Sequence, residues 1–112
     1  MSFKDLTAGL SKEMAAFGKN QPEVMGHFSK LAQSASKDGT LDAKTKEFIA
    51  LGIAIAIRCD ACIGFHVQAL VKLGVTREEF DEVINTAVYM GGGPSLMYGM
   101  KAQQAFNEFS AA

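Results

Sequence analysis

Glycines, prolines and short polar clusters divide this chain of 112 residues into stretches that carry apolar side chains at helical spacing. In the first stretch, residues 3–17, apolar positions recur every three or four residues, which is the period of an amphipathic helix. The strongest breaks are a proline, two glycine-containing turns and a glycine-rich segment: Pro22, Asp38-Gly39, Leu73-Gly74 and residues 91–94. The pattern predicts an all-α fold of about five to six helices, in one compact domain that spans residues 1–112.

The third stretch has an ambiguous pattern. Over residues 53–57 isoleucine alternates with alanine, as it would in a strand. However, roughly 15 residues without a breaker stronger than Gly52 exceed the usual length of a strand. We therefore predict a helix, with Thr40 or Asp42 as its N-cap. Because it is apolar nearly all round from Phe48 onward, we expect this helix to be central and buried.

Two further boundaries are marked by residues with specific capping chemistry. A fourth helix is predicted to begin near Cys59 or Asp60 and to end before Gly74, because glycine suits the left-handed conformation that closes many helices. The segment from Thr76 to Glu79 has the spacing of a capping box, which predicts the start of the next helix.

Charge and hydropathy exclude two classes of partner. The chain has 11 basic and 12 acidic residues and a formal net charge of −1, without the basic stripe that nucleic-acid binding requires. Its longest apolar run, residues 48–57, is far shorter than the roughly 20 residues that cross a bilayer, and the amphipathic first residues do not resemble a secretory leader. We expect a cytoplasmic protein that binds neither nucleic acid nor membrane.

The apolar content predicts self-association. Apolar residues make up 48% of the chain, which is high for one short domain. A domain of this size buries only a modest share of its surface by itself. The surplus therefore predicts a homo-oligomer, in which copies of the chain cover each other's apolar faces.

Two cysteines form the motif Cys59-x-x-Cys62, and His66 follows one helical turn later. A CxxC motif alone serves metal sites as well as redox chemistry. In the reducing cytoplasm, either role is favoured over a structural disulfide. Because residues three and four apart face the same way on a helix, we predict that Cys59, Cys62 and His66 share one face.

This arrangement suits thiol redox chemistry. The thiolate is the nucleophile, and a cysteine with an ordinary pKa of about 8.5 is mostly protonated at neutral pH. The positive end of the helix near Cys59 and the base His66 could each favour the thiolate, and the two-residue gap lets the sulfurs join. The alternative is a non-catalytic zinc-binding oligomer with Cys59, Cys62 and His66 as ligands and Glu47 or water as the fourth. Three ligands from consecutive turns of one helix fit tetrahedral zinc poorly.

Glu47 is the fourth candidate site residue. It is a lone carboxylate on a stripe of small and apolar residues of the preceding helix, formed by Ala43, Ala50, Leu51 and Ala54. If the chain reverses at residues 58–60, a rise of about 1.5 Å per residue places Glu47 and His66 within about one turn of each other in level. A direct contact or a bridging water would then connect them, and Glu47 could act as a proton acceptor.

The combination of Glu47, eleven residues, Cys59-x-x-Cys62, three residues and His66 resembles the signature of the alkylhydroperoxidase D-like branch of the carboxymuconolactone decarboxylase superfamily. The resemblance extends from about Leu41 through residues 91–94 and the helix after them. It implies an all-helical fold that assembles as trimers or hexamers. It also implies thiol-dependent peroxidase or disulfide reductase activity in antioxidant defence, and we expect no cofactor.

The resemblance also implies a role for each residue. Cys62 would attack the peroxide, Cys59 would resolve the sulfenic acid into a disulfide, and Glu47 with His66 would relay protons. The helix-end argument instead favours Cys59 as the more acidic thiol. The substrate would be an organic hydroperoxide or a disulfide, and the reductant a dithiol protein of the lipoyl or thioredoxin type.

Two features of the sequence bear on this resemblance. The best-studied type of the branch has a second histidine just before the second cysteine, where this chain has Ala61. The decarboxylase branch typically lacks the CxxC motif, which argues against lactone decarboxylation. A decarboxylase-like enzyme with idle cysteines is the third alternative.

Overall fold

The computed structural model describes residues 2–111, and these residues form six α-helices without a strand among them. The helices are α1 (Phe3–Asn20), α2 (Pro22–Ser36), α3 (Ala43–Ala56), α4 (Asp60–Lys72), α5 (Arg77–Gly91) and α6 (Gly93–Ser110). The predicted all-α fold is confirmed, and the ambiguous third stretch is helical. Within the described residues, no helix is long and apolar enough to cross a bilayer.

Three helix ends have the capping residues that the sequence predicts. Of the two candidate caps for α3, Asp42 is the one used, and its carboxylate accepts a hydrogen bond from the Thr45 amide at 2.8 Å. Thr76 and Glu79 form the predicted capping box of α5, with distances of 2.9 and 3.1 Å. Gly74 follows α4 with a φ of 79°, the left-handed conformation expected of a glycine there.

The core forms around α4, which packs against α1, α3 and α6. Gly64 on α4 permits a close approach of α1, because a methyl group built there would lie 2.7 Å from Cγ2 of Thr7 and 3.3 Å from Cδ1 of Phe3. The large side chains that are fully buried come from α1, α3, α4 and α5: Phe3, Leu51, Ile55, Ile63, Val67, Leu70 and Phe80. Three helices therefore hold α4, the helix that carries the cysteine motif.

Within a single chain, the prediction of a central, buried helix is confirmed for one face of α3 and wrong for the other. Leu51 and Ile55 are fully buried, whereas Ile49, Ile53 and Ile57 are 50%, 55% and 64% exposed. This exposed face borders an apolar groove of about 580 Å³ between α3 and α5. The sequence pattern could not separate the two faces, because both are apolar.

Within the described residues, α2 contributes no buried side chain, and it packs mainly against α1. Its apolar face, formed by Val24, Phe28 and Leu31, is at least 60% exposed at each position. The chain has an accessible surface of 7061 Å², where a folded monomer of 12.0 kDa exposes about 6,000 Å². Its radius of gyration is 14.4 Å, against about 13 Å for a compact domain of this length. The hairpin of α1 and α2 thus makes the single chain less compact than a typical monomer.

Candidate redox site

The two cysteines lie at the first turn of α4 and are joined by a disulfide bond. Cys59 is the N-cap residue, and its backbone is extended, with a φ of −105° and a ψ of 98°. Its sulfur accepts a hydrogen bond from the Cys62 amide at 3.1 Å. Cys62 is partly buried and packs against the hydrophobic core. The predicted dithiol therefore exists here in its oxidised form, with one sulfur at the positive end of a helix.

A tight reversal between α3 and α4 positions the cysteines. The Arg58 amide donates to the Ile55 carbonyl at 3.2 Å, and the Cys59 amide donates to the Ala54 carbonyl at 3.1 Å. Arg58 has a φ of 60°, a left-handed conformation that is uncommon for a residue with a side chain. The reversal is short, because only Ile57 and Arg58 separate the end of α3 from Cys59. The cysteine motif therefore stays close to α3.

Glu47 on α3 and His66 on α4 are in direct contact across this reversal. The Nδ1 atom of His66 lies 2.6 Å from Oε2 of Glu47, which is hydrogen-bonding distance. The Glu47 side chain is 15% exposed and that of His66 is 35% exposed, so the histidine is the more accessible partner. Because Nδ1 is occupied by this bond, Nε2 is the nitrogen that remains to exchange a proton. Of the two predicted connections, the structure has the direct one.

A cavity of about 310 Å³ lies beside the Glu47–His66 pair. One wall is α2, which contributes only small side chains, and the other walls come from α3 and α4. The lining residues are Ala32, Ala35, Ser36, Lys46, Glu47, Ala50 and His66. The Lys46 ammonium group donates to the Lys37 carbonyl at 2.8 Å, which ties α3 to the segment after α2. The cavity thus gives access to the histidine from a mostly apolar side.

A second charged pair lies at the cysteine motif and was not predicted from the sequence. Asp60, between the cysteines, accepts two hydrogen bonds from Lys101 on α6, at 3.1 and 3.2 Å. The same ammonium group lies 4.6 Å from the centre of the Tyr98 ring. Asp60 and Lys101 are 41 residues apart in the chain, so no local pattern could have linked them.

The structure thus groups the four predicted site residues into two contacting pairs, Cys59 with Cys62 and Glu47 with His66. The pairs are linked through α4, on which His66 follows Cys62 by one turn. The zinc alternative receives no support from this arrangement, because residues 2–111 contain no group of three or more His, Cys, Asp and Glu side chains placed to hold a metal ion. The catalytic roles of the four residues stay predictions.

Six helices within residues 2–111, one of which opens with a CxxC dithiol beside a partly buried glutamate–histidine pair, define a class of small all-α proteins with a candidate redox site. The sequence matches the carboxymuconolactone decarboxylase family over residues 22–105, so this chain belongs to that family.

Three relatives illustrate the similarity. The crystal structure of a carboxymuconolactone decarboxylase family protein from Legionella pneumophila has a TM-score of 0.95 and 56% identity, and the match covers 97% of each chain. A family member from Thermotoga maritima, for which a part in the antioxidative response has been suggested, has a TM-score of 0.82 and 26% identity over 91% of this chain and 87% of the other. An uncharacterized protein from Cupriavidus necator is 36% identical over 102 residues, which cover 91% and 90% of the two chains.

Proposed function

We propose that this protein is a thiol-dependent peroxidase of antioxidant defence, which reduces an organic hydroperoxide with Cys62 and then closes the disulfide with Cys59. The observation that carries this proposal is the 2.6 Å hydrogen bond between Glu47 and His66. It holds a base, one helical turn from a CxxC dithiol, in a fixed orientation. A histidine oriented by a carboxylate is a recurrent means of activating a nucleophile.

The proposed reaction begins with proton transfer. His66 accepts the proton of the Cys62 thiol at Nε2 and becomes an imidazolium. Glu47 stabilises this imidazolium through its hydrogen bond to Nδ1. The Cys62 thiolate attacks the outer oxygen of the hydroperoxide, a sulfur–oxygen bond forms and the oxygen–oxygen bond breaks. The alkoxide that leaves takes the proton back from His66. The products are an alcohol and the sulfenic acid of Cys62.

The disulfide forms in the second step. The Cys59 sulfur attacks the Cys62 sulfenic acid, the sulfur–sulfur bond forms and water leaves. A dithiol protein of the lipoyl or thioredoxin type then supplies two electrons and two protons, which restores both thiols. A small disulfide could oxidise the reduced pair by exchange instead of a peroxide, and this is the disulfide reductase form of the same proposal.

Two features support an organic hydroperoxide as the substrate class. The cavity beside His66 is lined in part by Ala32, Ala35 and Ala50, small apolar side chains against which an alkyl group could pack. The Thermotoga maritima relative carries the suggestion of an antioxidative role. We propose the cytoplasm as the location, because its reducing conditions regenerate the dithiol.

We propose that the working form is a homo-oligomer, a trimer or a hexamer of this chain. The support is the excess accessible surface of the single chain together with two apolar features that lack a cover within it. One is the exposed face of α2, and the other is the groove between α3 and α5. The face of α2 is convex and the groove is concave, so α2 of one copy could occupy the groove of the next.

The proposal is tested by peroxide consumption with a dithiol reductant. We expect Cys62→Ser to abolish turnover, His66→Ala to lower it by about 10²-fold or more, and Glu47→Gln to lower it less, because the imidazole would lose its carboxylate partner but stay in place. His27→Ala on α2 is the matched histidine control and should retain activity as long as its oligomeric mass is that of the wild type, because His27 lies on the α2 face of the proposed interface. Unchanged turnover in both Cys62→Ser and His66→Ala would refute the mechanism.

The assignment of the two cysteines is tested separately. If Cys62 attacks, Cys59→Ser still forms one sulfenic acid for each peroxide consumed, which a dimedone adduct on Cys62 would reveal by mass spectrometry. An adduct on Cys59 in the Cys62→Ser variant, with none in Cys59→Ser, would reverse the roles. The hydrogen bond from the Cys62 amide to the Cys59 sulfur is the observation that favours the reversed order.

A further inference from the structure

We propose that Lys101 is a positioning residue of the dithiol site, which neutralises the Asp60 carboxylate between the two cysteines and so preserves the acidity of their thiols. This inference rests on the proposed function, since acidity matters because the cysteines react as thiolates. It assigns a task to a residue on α6 that lies outside the CxxC motif.

The Asp60 carboxylate within the motif has opposite effects on helix stability and on the acidity of the thiols. Asp60 is the first residue of α4, where a carboxylate is favoured by the partial positive charge of the helix N-terminus. The same carboxylate lies next to Cys59 in the chain and two residues before Cys62. A negative charge at that place disfavours a second negative charge on either sulfur, and therefore raises a thiol pKa.

Lys101 is placed to offset the effect of the Asp60 charge on the thiols. Its ammonium group donates to both carboxylate oxygens of Asp60, at 3.1 and 3.2 Å, so the negative charge between the two cysteines in the chain is paired with a positive one. The ammonium group is also held from the other side by the Tyr98 ring at 4.6 Å. The two side chains are 39% and 35% exposed, so solvent weakens the pair without separating it.

A purely structural role explains the pair less well. A single ion pair at this level of exposure contributes little to the free energy of unfolding. The charges of the pair still act on the thiol of Cys59, which is one residue from Asp60 in the chain. An effect on thiol titration is therefore the consequence that distinguishes this position of Lys101 on α6 from that of an ordinary surface lysine.

Other charged groups around α4 do not offer this neutralisation. The helices packed against it are α1, α3 and α6, and Glu47 on α3 is occupied with His66. Lys4 on α1 lines a cavity with Gln68, more than one turn beyond the cysteines. Arg58 precedes the motif but is exposed, and Lys72 lies at the opposite end of α4. Among these groups, the structure pairs Lys101 with Asp60.

The experiment titrates the thiols of the fully reduced protein by the ultraviolet absorbance of the thiolate as a function of pH. We expect Lys101→Met to raise the lower thiol midpoint by about 0.5 unit, and Asp60→Asn to lower it by a similar amount. The double variant, which removes both charges, should return to within about 0.2 unit of the wild type. Lys101→Arg should keep the wild-type midpoint, because it keeps the charge.

The peroxide reaction gives a second readout. At a pH below the thiol midpoint, a rise of 0.5 unit reduces the thiolate fraction about threefold, so Lys101→Met should react about threefold more slowly. The difference should disappear at a pH well above the midpoint. Loss of structure alone would not give a rate deficit that vanishes with rising pH.

The outcomes separate this inference from the proposed function. An unchanged midpoint in Lys101→Met, or a double variant as shifted as Lys101→Met, would overturn the role of Lys101 even if the protein consumes peroxide. The expected four midpoints in a protein that consumes no peroxide would support the role of Lys101 and refute the peroxidase proposal. If Lys101→Met does not fold, Lys101→Gln removes the same charge with a polar side chain, and an unchanged midpoint in that variant would overturn the role of Lys101.

Discussion

At the scale of single residues, Glu108 shows how one end of the chain completes a helix at the other end. Its Oε1 atom accepts hydrogen bonds from the amides of Phe3 and Lys4, at 2.8 and 3.2 Å, in the first turn of α1. Burial raises the pKa of Glu108, but hydrogen bonds from Lys4, Gln104, Phe3 and Ser2 together outweigh it, so the pKa lies below its ordinary value of 4.5. The carboxylate from α6 therefore adds to the local N-cap of α1, Ser2, whose hydroxyl accepts a hydrogen bond from the Asp5 amide at 3.2 Å.

We predict that Glu108→Gln destabilises the protein by about 1 kcal/mol near neutral pH, the usual effect of losing an N-cap interaction. A carboxyl group with a lowered folded-state pKa contributes stability above its unfolded-state pKa, and that stability is lost as pH falls through the folded-state pKa. The difference in Tm between wild type and variant should thus be largest at pH 7 and should shrink in acid.

Thermal unfolding at neutral and acidic pH measures this difference. Glu13→Gln on the exposed part of α1 is the matched control, since it removes one carboxylate that makes no cap. A Tm difference of the same size at both pH values would show that the charge of Glu108 is not what stabilises α1.

At the scale of elements, the contact between α1 and α4 depends on Gly64. The chain approaches so closely there that any side chain would meet Thr7 and Phe3, which are both buried. Since α4 is held from three sides, α1 is the element that would have to move. The same helix α4 carries both cysteines and His66, so the α1 contact also stabilises the helix on which the site is built.

We predict that Gly64→Ala destabilises the protein by about 1–3 kcal/mol, because the added methyl group forces the two helices apart. Gly9→Ala on α1 is the matched control: a methyl group built there has no atom within 4 Å. That control should stabilise the protein by up to about 1 kcal/mol, the ordinary gain of replacing glycine within a helix. Denaturant unfolding of both variants provides the measurement, and equal stability of the two would argue against the close approach.

The same elements show which contacts can be predicted from the sequence. The capping box at Thr76, the Asp42 cap and the spacing of Cys62 to His66 are local, so their residues lie within four positions of each other and could be predicted. The caps and pairs made by Glu108 and by Lys101 join residues far apart in the chain, and they depend on how the helices pack. For α3 the limit was different, because its apolar pattern does not distinguish a face in the core from a face that borders a groove.

At the scale of the whole molecule, the apolar residues that stay exposed are concentrated on α2, α3 and the adjoining ends of α5 and α6. A chain that exposed about 1,000 Å² more than a typical monomer would be prone to association, and here the excess coincides with apolar side chains. The proposed packing of α2 into the α3–α5 groove would cover both features at once. It would also bring a second copy close to α2, the wall of the cavity beside His66.

We predict that Phe28→Glu breaks the oligomer into smaller species, because it places a charge in the centre of the exposed face of α2. Gln33→Glu is the matched control, as it adds the same charge on the opposite side of the helix, and it should leave the oligomer intact. Light scattering after size exclusion measures the mass of each variant. A wild-type protein that is monomeric at micromolar concentration would contradict the assembly, as would a Phe28→Glu variant of unchanged mass.

The direct contact between Glu47 and His66 has a consequence for how such a chain can change in length. All four site residues lie within one segment, residues 47–66, in which two helices and a short reversal set their spacing. One inserted residue within a helix rotates everything beyond it by about 100° about the axis and shifts it by about 1.5 Å. An insertion between Glu47 and His66 would therefore turn one partner away from the other, although every functional side chain would still be present. Insertions in the segment between α2 and α3 would leave that geometry intact, so changes in length should be tolerated there and excluded from the segment that carries the site.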